Sequence, residues 1–599
     1  MSRIPALLLL PLVLLLATDA SAQRRGEDPL DLAVSRWLRD FKANRIDPDD
    51  FRGMVKKSYL TPELRRKLPT QFGPQDRVSE ARSLFRLMKD RGGAEDGKDL
   101  VEVVCHGLDR KEGVLIGGAI WRFRQAALPF LTGDDTPKAF QEAVVARLEG
   151  GLDVPGPDDK RQEVRCRNEL EATVLAPLVG SYGNQLHRTL LENLLRVDHA
   201  DLKVAAAKGL GAMGSGSSMR LVADILPQLE YHDQLVEACA AVIEVAKGQR
   251  PTPDARQLSY ALEKGLEAFE AADNWRSRLA MLPLFQALRG KKTVPALISL
   301  LEAAKKEPQR KGAQDYCFSG TLLQGVVEVL EDLTGFFAAP GEPERWRSWW
   351  DKVHDDFEIR PPELSRSRKP TGVHDKKTSA QPTFFGIPVI GSRVIFVLDI
   401  SGSMLWYIDR PMPAGNPPLP TGEYESRLDR AKKELVGAIE GMTTDDMFTV
   451  VYFESVVRTW SKKLVPATKQ AKSRVLKDID KVKAWGATAL YDALEEAMGI
   501  EVDRRPGERY STPVDELFLL SDGAPTAGKI MYLDQILERV LAWNKGAKVR
   551  INTIFLGELT PGRIAPGPGM PAQDMREDEF MRRLAESSGG RFVHLTGTK

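Results

Sequence analysis

Four cysteines, seven histidines and a net charge of +1 in 599 residues exclude several classes of protein. Cys105, Cys166, Cys239 and Cys317 are scattered over more than two hundred residues, and no two have metal-ligand spacing. Neither a disulfide framework nor a zinc module is encoded, and buried thiols in helices are expected. Lys plus Arg (85) cancels Asp plus Glu (84), so the basic excess of a nucleic-acid binder is missing. After the N-terminus, no apolar run is long enough for a membrane-spanning helix. The G-x-S-x-G elbow, the G-x-x-x-x-G-K-[ST] loop and the H-E-x-x-H helix do not occur.

What is present is long and of ordinary globular composition, with 42% apolar and 28% charged residues, and 599 residues are too many for one core. Arg3, the apolar stretch "ALLLLPLVLLLA" and Ala20-Ser21-Ala22 have the order of a signal peptide cut before Gln23. Residues 1–22 are therefore expected to be removed and the mature chain exported to the periplasm, the cell surface or the medium. A retained anchor is the competing reading.

Residues 23–355 carry helical periodicity almost throughout. "LHRTLLENLLRVDHADLKVAAAKGLGAMG" and "MRLVADILPQLEYHDQLVEACAAVIEVAKG" each predict two amphipathic helices. Superimposing Asp201 on Asp233 brings Val204 onto Val236, Ala207 onto Cys239, Leu210 onto Val242 and Met213 onto Val245. The match predicts a helix pair repeated about every thirty-two residues, which resembles HEAT-type solenoids. An irregular helical domain is the alternative. Trp346, Trp349 and Trp350 share a helix face and are read as core. Residues 356–385 lose periodicity and are read as a linker.

From residue 386 onward apolar runs at 394–398, 447–453, 516–520, 549–556 and 591–594 alternate with helical stretches, the pattern of an α/β domain with a largely parallel sheet. Ligands of such sheets bind at the carboxyl ends of the strands. "RVIFVLDISGSM" ends its strand on Asp399, Ser401 and Ser403, "ELFLLSDGAPTAG" ends on Asp522, and "WGATALYDAL" sets Thr488 at a helix start. Two carboxylates and three hydroxyls form a hard-oxygen set suited to Mg²⁺, which takes about six oxygens and keeps some waters. Helix capping accounts for one of these residues, not for matched residues on three loops. A hydrolase would need a base, and His594 is the domain's one histidine.

"DISGSM", "GATALYDAL" and "LLSDGAPT", in that order, resemble the von Willebrand factor type A domain over residues 386–599. The resemblance implies a Rossmann-like, mostly parallel six-stranded sheet flanked by helices, and a metal-ion-dependent adhesion site. It implies that Ser401, Ser403 and Thr488 coordinate Mg²⁺, with Mn²⁺ or Ca²⁺ as substitutes, and that Asp399 and Asp522 act mainly through hydrogen bonds or water. It also implies a protein ligand that offers an Asp or Glu carboxylate, with no catalysis. The alternatives are an accessory subunit of a metal-assisted hydrolase and a helical scaffold with a vestigial metal site. Two insertions, 406–426 and 557–579, leave the sheet at its carboxyl end and are expected to rim the site. The chain stops soon after the "RFVHL" strand, where integrin-type relatives continue into a helix that signals metal occupancy, so that form of allostery is not expected.

Overall fold

The computed structural model describes residue 39, most of 81–108, and 119–156, 163–248, 251–306, 318–362, 382–408, 425–499, 512–557 and 575–595. The signal segment, most of the linker, most of both insertions and Cys317 lie outside the described residues. Two compact units result. The first takes in the described residues up to 222 with those of 244–253, and the second takes in 223–243 and nearly everything from 254 onward.

The first unit is helical apart from a short hairpin, β1 (Leu152–Asp153) with β2 (Arg165–Cys166). Helices Glu169–Ser181 and Ala200–Ala212 pack together and bury Leu175, Val179, Ala206 and Leu210. Each starts with a side-chain cap, Asn168 accepting from the Glu171 amide and His199 from the Leu202 amide. Cys105 and Cys239 are buried free thiols in helices, whereas Cys166 is half-buried in the hairpin. Of the four apolar pairs that this superposition aligns, all residues are buried except Val236, which is half-buried, while the Asp201 that anchors it is exposed and Asp233 half-buried.

The second unit contains helices Ala255–Ala271, Trp275–Leu288, Thr293–Lys306, Gly320–Thr334 and Pro343–Val353, followed by the α/β domain. The tryptophan face packs inward as expected. Trp346 is fully buried with its indole donating to the Ala338 carbonyl, and Trp349 stacks on Phe336 at 4.9 Å.

After a hairpin of β3 (Thr383–Phe384) and β4 (Ile387–Pro388), the main strands are β5 (Arg393–Asp399), β6 (Met447–Phe453), β7 (Val457–Thr459), β8 (Val465–Pro466), β9 (Glu516–Ser521), β10 (Arg550–Phe555) and β11 (Phe592–His594). The order is β11-β10-β9-β5-β6-β7, with β8 also on β6. β5, β6, β9, β10 and β11 run parallel, as their near-continuous apolar sequences predict for strands covered on both faces. The described sheet has seven strands where six were expected. The antiparallel edge is broken, β7 pairing with residues 451–453 of β6 and β8 with residues 447–448. Neither fragment, "VRT" or "VP", has an apolar run to announce it. Helices Arg427–Gly441 and Lys469–Lys481 bury one face, where Phe384, Phe396 and Phe518 meet ring to ring. Helices Leu490–Met498, Leu533–Ala547 and Glu577–Ser587 cover the other.

The helices that precede the linker pack directly on the amino edge of this sheet. Arg276, 3% exposed, donates to the carbonyls of Ala547 (2.8 Å), Thr512 (2.7 Å) and Val514 (3.1 Å). Gly320 donates its N–H to Ser392 Oγ, and a Cβ at Gly320 would lie 1.6 Å from the Ile390 carbonyl oxygen, so only glycine permits this approach. Asp515 and Glu516 are buried at the same edge, and their carboxylates collect amides of the turn 390–393. Asp515 accepts from Ser392 and Arg393, and Glu516 accepts from Ile390 and Gly391 and from the Asn552 side chain.

Two outcomes are expected. Arg276→Met strands three buried carbonyls and should cost about 3 kcal/mol in urea unfolding of the full chain; an unchanged midpoint would mean the contact contributes nothing. Burial, against the pull of those amides, pushes Asp515 up to about 6 and Glu516 up to about 7. A folded pKa above the unfolded one means the native state holds extra protons. Stability from Glu516 is therefore complete below about 4.5 and is lost as pH rises through about 7. Glu516→Gln should flatten the slope of unfolding free energy against pH in that window, and an unaltered slope would exclude this assignment.

Candidate metal centre

Strand order decides where a site forms. The chain leaves β5 for β6 on one side and later returns to β9 on the other, so the carboxyl ends of β5 and β9 diverge at the switch point. Asp399 is the last residue of β5, and Asp522 follows the last residue of β9. Both side chains are out of solvent.

Hydrogen bonds join four of the five expected residues into one chain. Asp399 Oδ1 accepts from the Ser401 amide at 2.8 Å, Ser401 Oγ lies 3.1 Å from Ser403 Oγ, and Ser403 Oγ donates to Asp522 Oδ1 at 2.8 Å. Ser401 is buried and Ser403 half-buried. Thr488 is buried on the neighbouring loop and joins through the backbone alone. The Gly402 amide donates to the Gly486 carbonyl at 3.1 Å, and the Thr488 amide donates to Thr526 Oγ1 at 2.9 Å. Gly486 holds this loop in a left-handed conformation (φ 79°), and a Cβ there would lie 2.3 Å from Glu454 Oε2.

Two participants carried no sequence signal of their own. Ser521 Oγ donates to Asp399 Oδ2 at 2.6 Å, and the one hint was its place beside Asp522 in "LLSDG". Arg427 Nη1 donates to Asp522 Oδ2 at 2.8 Å from the first turn of helix Arg427–Gly441, at the far side of the insertion. Burial first, and the neighbouring Asp522 carboxylate second, push Asp399 up to about 7, opposed by its bonds to Ser401 and Ser521. Trp485, 66% exposed, and Val456, 65% exposed, stand on the loops beside this chain of oxygens. The base of the 406–426 insertion is pinned to it. The Trp406 amide donates to the Ser403 carbonyl, and the Arg427 amide donates to the Trp406 carbonyl at 2.8 Å. No group of three or more His, Cys, Asp or Glu suited to a metal occurs among the described residues, so any ion here would depend on hydroxyls.

Residues 421–593 match the family model described as the von Willebrand factor type A domain. The chain contains a von Willebrand factor type A domain. The matched stretch begins after Asp399, Ser401 and Ser403. A stretch of 142 residues is 30% identical to inter-alpha-trypsin inhibitor heavy chain H2 of Mus musculus, covering 24% of this chain and 13% of that one. Over 147 residues it is 26% identical to heavy chain H3 of Bos taurus, covering 24% and 14%. The similarity thus spans about a seventh of the length of these curated relatives. Among solved structures, a von Willebrand factor type A protein from Catenulispora acidiphila is similar at 18% identity and a TM-score of 0.24, over 34% of this chain and 38% of that one. The PilB minor pilin from Streptococcus sanguinis is similar at 15% identity and a TM-score of 0.24, over 35% and 59%. These two likenesses are too distant to bear on what the domain binds. No described helix is long and apolar enough to cross a membrane.

Within the type A domain, Gly486→Ala should cost about 1–3 kcal/mol, because the backbone is left-handed and the Cβ would collide with Glu454. Gly523→Ala, with nothing within 4 Å of its Cβ, should stay within about 0.5 kcal/mol. Equal losses in thermal unfolding would show that the Thr488 loop is not held in this conformation.

Proposed function

We propose that this is an exported, non-enzymatic protein whose type A domain binds a protein ligand through a divalent cation, with Mg²⁺ the expected ion. The observation that carries the reading is the spacing of the oxygens. Ligands at adjacent corners of a Mg²⁺ octahedron, each about 2.1 Å from the ion, are about 3 Å apart. Ser401 Oγ and Ser403 Oγ are 3.1 Å apart, so the two hydroxyls fit adjacent corners of such an ion, with Asp522 Oδ1 behind Ser403 Oγ at 2.8 Å. Ser401, Ser403 and Thr488 would hold it, directly or through water. Asp399 and Asp522 would orient the hydroxyls and supply negative charge. When bound, the ion supplies Lewis acidity toward an oxygen ligand from outside.

The residues of the chain prepare that contact. Ser403 directs its O–H at Asp522 and accepts from Ser401, which leaves it one lone pair for an ion. Ser521 and the Ser401 amide occupy the Asp399 oxygens and fix the turn 399–403. Exposed Trp485 and Val456 offer apolar surface beside an incoming Asp or Glu of the partner. The helical region serves as scaffold, and the thirty-two-residue repeat of its helix pairs supports a HEAT-like reading. Export rests on the N-terminal segment alone.

Thermal unfolding of the full chain, in EDTA and in 10 mM Mg²⁺ as the chosen titration point, tests the reading. A site with a dissociation constant of about 1 mM would gain about 1.4 kcal/mol. The midpoint should rise with Mg²⁺ in wild type and stay fixed in Asp399→Ala. A wild-type midpoint indifferent to Mg²⁺ and Mn²⁺ would refute the ion and favour the helical region as the working part.

A further inference from the structure

Arg427 takes no part in the coordination just proposed, yet it is 4% exposed and directed at the site. Its Nη1 donates to Asp522 Oδ2, and its guanidinium carbon lies 5.2 Å from the centre of the Trp406 ring. Its Nε is buried without a hydrogen-bond partner. A buried cation with one ion-pair partner and an orphaned donor is costly. Its position in the helix adds to that cost, because the first turn is the positive end of the helix dipole. The helix start does not need it either, since Ser426 and Asp429 cap each other's amides. What remains to account for it is charge, for Asp399 and Asp522 are two carboxylates buried on either side of a pair of serines.

We propose that Arg427 is the built-in counter-cation of this site: it neutralises Asp522 while no divalent ion is bound, and it weakens the ion's binding by competing for the charge of that carboxylate. The inference rests on the ion-binding reading above. Its consequence is a site that folds without the ion and holds it loosely. A loaded site with Arg427 present is one charge more positive than the carboxylates and the ion alone would make it. An anion from the partner then completes the charge balance, so ion and acidic ligand bind cooperatively. Arg427 is a positioning and charge-setting residue, not an ion ligand.

Full-length Arg427→Gln keeps a donor toward Asp522 and removes the charge, and Arg427→Lys keeps the charge. Mg²⁺ alone is the probe, measured by titration calorimetry and by unfolding in EDTA and in Mg²⁺. Arg427→Gln should unfold earlier than wild type in EDTA, show a larger rise with Mg²⁺, and bind Mg²⁺ about tenfold more tightly. Arg427→Lys should follow wild type. If Arg427→Gln folds only when Mg²⁺ is present, the inference stands. A glutamine variant with the wild-type Mg²⁺ affinity and the same rise would overturn it and leave the ion reading intact, as would one that fails to fold even in Mg²⁺ while the lysine variant folds. A wild-type chain that ignores Mg²⁺ would overturn both.

Discussion

Two carboxylates at the ends of neighbouring strands, both out of water, set the terms for everything around them. Asp399 and Asp522 repel each other where solvent does not screen them, and burial already disfavours the charge of Asp399. The local structure supplies what solvent would have supplied. Ser521, the Ser401 amide, Ser403 and Arg427 each occupy a carboxylate oxygen. Those donors arrive from the end of β9, the turn after β5 and the first turn of a helix beyond a long insertion. The switch-point topology is what brings three such distant segments together.

The aliphatic frame that holds these segments was plain in the sequence. Seven consecutive residues of β5 are buried, and a parallel strand covered on both faces has to be a continuous apolar run. The same logic located β6, β9, β10 and β11 to within a residue or two. It could not locate β7 and β8, which are short, polar or proline-containing and owe their pairing to an open edge of β6. The places of Asp399, Ser401, Ser403 and Asp522 were legible because Asp399 ends β5, the two serines lie in the turn after it, and Asp522 directly follows β9. Arg427 was not, since nothing in "YESRLDRAKK" distinguishes an arginine that turns inward from the charged residues that face water. Arg276 was invisible for a related reason. Its partners are main-chain carbonyls more than two hundred residues away, and carbonyls have no letter in a sequence.

The two ends of the same strand pair show why one end is a candidate for chemistry and the other is not. At the amino end Asp515 and Glu516 are buried as deeply as Asp399, but their oxygens are taken by main-chain amides and by Asn552. A main-chain N–H donates and cannot accept, so these donors have no lone pair to offer a cation, and Arg550 already stands 3.8 Å from Glu516. At the carboxyl end the intermediaries are hydroxyls. A serine that donates to a carboxylate keeps lone pairs of its own, and it can pass the negative charge on to an electrophile without losing its hydrogen bond. One arrangement closes the sheet against the helices of the second unit. The other leaves serine hydroxyls between the carboxylates, and the difference comes down to which donors the adjoining loops supply.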